Sequence, residues 1–276
     1  MEIQAIFIYC LAEDIVRSLD LKDDPQTKMT SAEVITFVVI SALYYQCDYK
    51  IARLVCQHCR LFSSLISHSR IVRRIHKIPE SIWIMIFSIC REFVIKPSAH
   101  EYVVDSFPVA VCQNYKRMRC KLFQGKKFHG YTASKKQYFF GIKVHMVVNA
   151  QGIPIEFVFT PGSEADIKGF RRLKLDLPKE SVLFGDRAYN DYVLEDFLDE
   201  ELKIKLLVKR KQNSKRQHGP YEELKLSLTR NRIETVFSAI VSLMPRCIRA
   251  RTEKGFCLKV MFFILAYTIK IKMPVA

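Results

Sequence analysis

Apolar residues recur at helical spacing through the first hundred positions, interrupted by short polar breaks. The Asp-Asp-Pro sequence at residues 23–25 ends the first apolar run. Thr30 and Glu33 have the spacing of a capping box and stand at the start of the next run. The pattern predicts an all-α region over residues 1–98.

One predicted helix of this region is strongly basic. It follows a second break near residues 63–69, and its cations recur at helical spacing, so that one exposed face can carry Arg70, Arg73, Arg74 and Lys77. A recognition helix that binds DNA ends is one interpretation. A solvated face of a helical bundle is equally compatible, because no turn glycine supports a helix-turn-helix.

After Pro97 the period of the apolar pattern changes from helical to that of strands. Residues 101–105 predict a short strand that ends on an acid. Residues 138–148 alternate between apolar and polar, residues 149–152 predict a turn, and residues 153–160 run back as a second strand. The three segments predict a first strand followed by a hairpin.

The remaining segments alternate between helices and strands. Helices are predicted at 165–175, 190–202 and 230–244, and strands at 182–184 and 204–208. The whole order over residues 99–276 favours an α/β fold, a ribonuclease H-like mixed sheet flanked by helices.

Three carboxylates stand where these elements can bring them together. The first and fourth strands lie side by side in such a sheet, so Asp105 and Asp186 converge, and Glu234 comes from a helix packed across it. Each acid also has a simpler interpretation. Asp105 and Asp186 could cap turns, and Glu234, which shares a helical face with Phe237 and Val241, could pair with Arg230 four residues earlier.

A cluster of three carboxylates favours hard divalent cations. Oxygen ligands suit Mg²⁺ or Mn²⁺. Two such ions about 4 Å apart could activate a nucleophile on one side of a phosphodiester and stabilise the leaving oxygen on the other.

Charge indicates a polyanionic partner. The 276 residues include 44 Lys and Arg against 28 Asp and Glu, a net charge of +16, and most of the excess follows residue 100. The longest apolar runs are shorter than the roughly 18 residues of a membrane span, and no signal-peptide pattern begins the chain. We therefore expect nucleic acid rather than a membrane as the partner.

Cysteine usage indicates a reducing compartment. Nine cysteines, an odd number, fit reduced thiols in the cytoplasm. Cys56 and Cys59 have the spacing of half a zinc site, although buried structural thiols explain them more simply.

Two stretches of the second region are basic enough to bind a phosphate backbone. Residues 113–137 carry eight Lys or Arg and no acid, interleaved with Tyr115, Phe123, Phe128 and Tyr131, and this mixture suits a nucleic-acid backbone with some stacking of bases on the aromatic rings. Residues 209–216 form the other stretch. The candidate DNA contacts are Lys116, Arg117, Arg119, Lys126, Lys127, Lys135, Lys136, Lys209, Arg210, Lys211, Lys215, Arg216 and Arg230.

Several segments together resemble a DDE transposase of a bacterial insertion sequence, particularly the group numbered nine-eight-two. They are YVVDSFPV (102–109), HGYTASK (129–135), TPGS (160–163), GDRAYND (185–191) and RIETVF (232–237). DPQTKM (24–29) and AEVI (32–35) in the helical front fit as well. The resemblance spans nearly the whole chain.

The resemblance implies that Asp105, Asp186 and Glu234 form the catalytic, metal-binding triad of an enzyme that cuts and joins double-stranded DNA at element ends. It also implies a bacterial cytoplasmic protein, associated with the nucleoid when bound to DNA, and a homodimer that brings two ends together. Ser227 and Val241 stand where many relatives have tyrosine and lysine, so contacts to the element end can differ. A nuclease that cuts without joining, and a non-catalytic DNA-binding repressor, are the alternatives.

Overall fold

The computed structural model describes residues 1–92, 100–133 and 136–272. The helices are α1 (Glu2–Ser18), α2 (Ser31–Tyr45), α3 (Tyr49–His58), α4 (His68–Lys77), α5 (Glu80–Glu92), α6 (Asp166–Phe170), α7 (Tyr192–Leu202), α8 (Pro220–Leu243) and α9 (Glu253–Lys272). The strands are β1 (Glu101–Cys112), β2 (His129–Thr132), β3 (Gln137–Asn149), β4 (Pro154–Pro161), β5 (Ser181–Gly185) and β6 (Ile204–Val208).

The chain forms two compact units. Unit 1 contains Met1–Val94 and Ala239–Ala276, and unit 2 contains Ile95–Ser238. The last helix therefore belongs to the same compact unit as α1 to α5. The division of the chain into a helical region that binds DNA ends (1–98) and a ribonuclease H-like catalytic domain (99–276) stays a prediction.

Unit 1 is a helical assembly around α2. This helix begins with the expected capping box, in which the Glu33 amide donates to Thr30 and the Thr30 amide donates to the Glu33 carboxylate. Nearly every α2 residue up to Ala42 is buried, which explains why its apolar pattern is continuous rather than one-sided. Trp83 of α5 and Phe262 of α9 contribute to the same unit, with ring centroids 4.7 Å apart.

The basic helix α4 exposes only part of its charge. Arg70, Arg73 and Lys77 are exposed, as expected. Arg74 instead turns inward, where its Nη2 lies 2.6 Å from Asp23 Oδ1 and also donates to Ser31. Residues 59–67 join α3 to α4, a connection longer than the three or four residues of a helix-turn-helix turn.

Unit 2 contains a six-stranded mixed sheet. Its strand order is β2-β3-β1-β5-β6, and β4 pairs with β3. The β1–β3 and β3–β4 pairs are antiparallel, whereas β1–β5 and β5–β6 are parallel. This arrangement, with helices flanking the sheet, confirms the predicted ribonuclease H-like α/β fold.

Several predicted boundaries were wrong. The first strand continues past Asp105 to Cys112, because Phe107, Val109 and Val111 keep the alternation of buried side chains. Phe107 and Val109 pair with β3, and the pairing resumes at Cys112 after an irregularity at Val111. The helix expected at 165–175 is only the short α6. The helix expected to start at residue 190 begins at Tyr192, after a 3₁₀ turn at Arg187–Tyr189.

The α8 helix packs one face and exposes another. Ile233, Val236 and Phe237 are buried, and the Phe237 ring lies 4.6 Å from that of Phe107 on β1. Val241, which the sequence pattern assigned to the buried face, is 47% exposed. Glu234 therefore stands beside the solvent-facing side of the helix.

No helix within the three described ranges combines the length and apolar character that crossing a membrane requires.

Candidate active site

Strand register places Asp105 and Asp186 at the same level of the sheet. In the parallel β1–β5 pair, Val103 lies opposite Phe184 and Val104 opposite Gly185. Asp105 directly follows Val104 in β1, and Asp186 directly follows Gly185 at the end of β5. The two carboxylates therefore line the same cleft. The convergence inferred from the order of elements is thus present for these two acids.

Both acids also accept a hydrogen bond from the backbone amide of the next residue, although Asp105 lies within β1 and only Asp186 is at a turn. Asp105 Oδ1 accepts from the Ser106 amide at 2.7 Å, and Asp186 Oδ1 accepts from the Arg187 amide at 2.7 Å. Asp186 caps the 3₁₀ turn that follows β5. The second oxygen of each carboxylate accepts no hydrogen bond from these amides, so it can coordinate a cation.

Arg230 links Asp186 to Glu234. Its Nε donates to Glu234 Oε1 at 2.9 Å, and its Nη1 lies 4.0 Å from Asp186 Oδ2. The Glu234 side chain is 54% exposed. The ion pair foreseen as the simpler explanation of Glu234 is therefore formed, and the arginine stands between two members of the expected triad.

The cleft of this site has a volume of about 470 Å³ and mixes acids with cations. Besides Asp105 and Asp186, its charged lining residues are Arg187, Lys209, Arg210, Lys211, Glu223 and Arg230. Glu223 was not singled out in the sequence, although it precedes Arg230 by seven residues and so shares its helical face. That spacing was the signal that could have identified it.

Burial changes the acidity of Asp105. Desolvation raises the pKa of this carboxyl from 3.8 to about 7, and the neighbouring Asp186 adds to the increase, whereas the Ser106 amide opposes it. A carboxyl with this pKa changes charge near neutral pH. A cation bound here would favour the ionised form.

Asp105 should therefore reduce stability as the pH rises. Its pKa is higher in the folded state than in the unfolded chain, so the folded state binds more protons between about pH 4 and pH 7. We expect Asp105→Asn to be about as stable as the wild type near pH 4. As the pH rises through 7, the free energy of unfolding of Asp105→Asn should exceed that of the wild type by an increasing amount. At about 1.4 kcal/mol per pKa unit, the difference should reach at most about 4 kcal/mol.

Urea unfolding of both proteins at pH 4.5 and pH 8 in EDTA measures this difference. His145 has the opposite effect. Burial lowers the pKa of its ring to about 4, so its contribution to stability decreases as the pH falls below about 6.5. Since His145 is present in both proteins, subtracting the two curves isolates Asp105. A difference that is the same at both pH values would contradict the assignment.

In the basic stretch 209–216 the arginines and lysines have different environments. Arg210 donates two hydrogen bonds to Glu195, at 2.7 and 2.6 Å, and its side chain is 5% exposed. Arg216 makes a similar pair with Asp196. Both guanidinium groups lie over the Tyr192 ring, at 5.2 and 4.9 Å from its centroid. Both arginines therefore pair with acids of α7, Arg210 buried and Arg216 about half exposed, whereas Lys209, Lys211 and Lys215 are exposed and form no ion pair within the described residues.

This division predicts which cations bind DNA. Replacing Lys209, Lys211 and Lys215 with alanine should weaken binding to a DNA duplex and reduce the slope of log K against log salt by about 0.9 for each phosphate that a lysine no longer neutralises. Fluorescence anisotropy at several salt concentrations measures the slope. Lys174→Ala with Lys179→Ala is the control, since both lie before β5 and outside the cleft. An unchanged slope in the triple variant would exclude these lysines as phosphate ligands.

In the other basic stretch, residues 113–137, some aromatic side chains are exposed and others are buried. Lys116, Arg117 and Arg119 are exposed on the 3₁₀ helix Asn114–Arg119, and Lys126, Lys127 and Lys136 are exposed as well. Tyr115 is 77% and Tyr131 49% exposed. Phe123 and Phe128, expected to stack on bases, are instead buried against each other with ring centroids 5.0 Å apart. Lys135 lies outside the described residues.

A family model described as "Transposase DDE domain" matches residues 98–269. The chain belongs to this DDE transposase family. The protein is therefore a phosphoryl-transferring enzyme with transposase activity, and DNA is its partner. Comparison with curated proteins gave no significant match.

DDE transposases generally use divalent metal ions. The oxygen donors of Asp105 and Asp186 fit such an ion, because two adjacent carboxylates, one of them with a raised pKa, need positive charge to ionise together. Over residues 1–92, 100–133 and 136–272, no three His, Cys, Asp or Glu side chains are grouped closely enough to hold one. Cys56 is buried and Cys59 exposed.

Proposed function

We propose that the protein cuts DNA at the ends of an insertion sequence and joins those ends to target DNA, with Asp105, Asp186 and Glu234 as its metal-binding triad. The observation that carries the proposal is the β1–β5 register, which brings two of these acids to one cleft in a chain of the DDE family. Glu234 is one arginine away from them.

Two Mg²⁺ or Mn²⁺ ions would supply Lewis acidity to the phosphodiester and to the attacking water or 3′-hydroxyl. Asp105 and Asp186 would hold them through carboxylate oxygens. Glu234 reaches the same position only if its carboxylate leaves Arg230. The arginine, released from that pair, can then contact a DNA phosphate.

Exposed cations beside the cleft would hold the phosphate backbone. Lys209 and Lys211 line the cleft itself, next to Asp186. Double-stranded DNA is thus the expected substrate, both as the element end and as the target. Because two ends must be held together for joining, we propose that the active form is a homodimer.

Incubation with the DNA that flanks its own reading frame, in the presence of Mg²⁺, tests the proposal. Mapping should reveal cuts at both element ends and a product joined to target DNA. Cut ends without a joined product would indicate a nuclease of the same fold. Binding without any cut would indicate a repressor derived from a transposase.

A further inference from the structure

Unit 1 contains a second cavity, larger than the cleft of the acids. Its volume is about 1210 Å³. It is lined by residues 44–51 around the start of α3, by one face of α4 that includes Val72, Arg73 and His76, and by residues 245–252 with the first turns of α9. We call it the α4 groove. Ligand pockets for small molecules are about 300–1,000 Å³, so this volume suits part of an extended ligand.

The groove is strongly basic. Six of its lining residues are Lys or Arg and one is an acid, Asp48. The Asp48 carboxylate is engaged in capping α3, where it accepts from the amides of Lys50 and Ile51. The cations are Lys50, Arg73, Arg246, Arg249, Arg251 and Lys259.

Three of these cations come from the loop between α8 and α9. Arg246, Arg249 and Arg251 are all exposed. Within the described ranges no carboxylate lies within 4.0 Å of any of the three, which distinguishes them from the paired Arg210 and Arg216 in unit 2. Such arginines keep their full charge and hydrogen-bonding capacity for a partner.

The loop that carries the arginines is fixed rather than loose. Ile248, between two of them, is only 5% exposed. Lys259 donates from Nζ to the Arg249 carbonyl at 2.9 Å and lies 4.9 Å from the centroid of the Tyr49 ring. Thr252 then caps α9 by accepting from the Gly255 amide at 3.0 Å. The arginines are thus presented on an ordered backbone.

We propose that the α4 groove binds the sugar–phosphate backbone of duplex DNA, with Arg246, Arg249 and Arg251 as phosphate contacts and Arg73 of α4 beside them. The proposal rests on the proposed function in one respect, that the ligand is DNA. It adds a second DNA-binding surface, in unit 1, to the lysines of the unit 2 cleft. Unpaired arginines over a partly apolar floor suit phosphates and the sugars between them.

Replacing all three loop arginines with glutamine tests the groove. In EDTA, where no cutting occurs, we expect binding to a random duplex to weaken at least about tenfold near 0.15 M salt. The slope of log K against log salt should fall by about 2 to 3, since each neutralised phosphate contributes about 0.9. Arg17→Gln with Lys22→Gln and Lys28→Gln removes the same charge from unit 1 outside the groove. This control should change the slope much less.

The exposed cysteines give a second measurement that needs no substitution. Cys247 lies in the loop between two of the arginines, whereas the exposed Cys10 and Cys59 are not groove residues. Duplex DNA should slow alkylation of Cys247 in the wild-type protein and leave Cys10 and Cys59 unaffected, as measured by mass spectrometry of the labelled peptides.

Two results would overturn the groove proposal: an equal decrease of the slope in the groove and control variants, or alkylation of Cys247 that DNA does not slow. If the wild-type protein still cuts element ends, the proposed function is unaffected by either result. A wild-type protein that neither binds nor cuts DNA would overturn the proposed function as well. The two failures are therefore distinguishable.

Discussion

Asp105→Asn and Asp186→Asn are each expected to lower Mg²⁺-dependent cleavage of element-end DNA by at least about 10³-fold. Removing a carboxylate that holds a catalytic cation loses several kcal/mol of transition-state stabilisation, and each 1.36 kcal/mol is about a tenfold change in rate. DNA binding should stay the same or strengthen, because each substitution removes a negative charge that faces phosphate. Single-turnover cleavage and anisotropy in EDTA measure the two effects separately.

The third carboxylate needs a sharper comparison. Glu234 is not one of the residues that line the cleft, although its partner Arg230 is, whereas Glu223 of the same helix lines the cleft. We expect Glu234→Gln to lose cleavage as Asp105→Asn does, and Glu223→Gln to retain most of it. The opposite result would move the third position of the triad to Glu223. Asp199→Asn on α7, exposed and away from the cleft, is the control for the loss of a charge.

Glu195→Ala should lower the free energy of unfolding of the protein by about 3 to 5 kcal/mol. Glu195 and Arg210 are 8% and 5% exposed and are joined by two hydrogen bonds, so removing the carboxylate leaves a buried guanidinium without its main partner. Thermal and urea unfolding, monitored by circular dichroism, measure the decrease.

The adjacent acid provides the matched control. Asp196 pairs with Arg216, but both side chains are about half exposed, so Asp196→Ala should lower the free energy of unfolding much less than Glu195→Ala does. The double variant Glu195→Leu with Arg210→Met should recover much of the stability, since a buried ion pair can be replaced by apolar packing. Similar effects of Glu195→Ala and Asp196→Ala would contradict the distinction between buried and exposed pairs.

Local sequence patterns predicted some features of this structure directly. The capping box at Thr30, the hairpin of β3 and β4, and the order of strands and helices are local patterns, since each follows from residues a few positions apart. The fold class and the membership of the DDE family follow from that order and from the segments around Asp105, Asp186 and Glu234.

The sequence pattern misplaced features that depend on distant neighbours. Phe128 has the spacing of an exposed aromatic residue in a basic stretch, but Phe123 buries it. Val241 fits the apolar stripe of α8 and is nevertheless exposed. Periodicity shows which side chains can share a face, whereas burial depends on what covers that face.

By itself, the sequence determined the sheet, the flanking helices, the excess of positive charge and three acids able to serve as ligands. The tertiary structure decided the β1–β5 register that brings Asp105 level with Asp186, the Arg230 contacts to Asp186 and Glu234, and the separation of anchoring arginines from exposed lysines in residues 209–216. The reason is physical: composition and spacing fix the charge and the period of a segment. Which charge is neutralised, and by what, depends on packing between segments far apart in the chain.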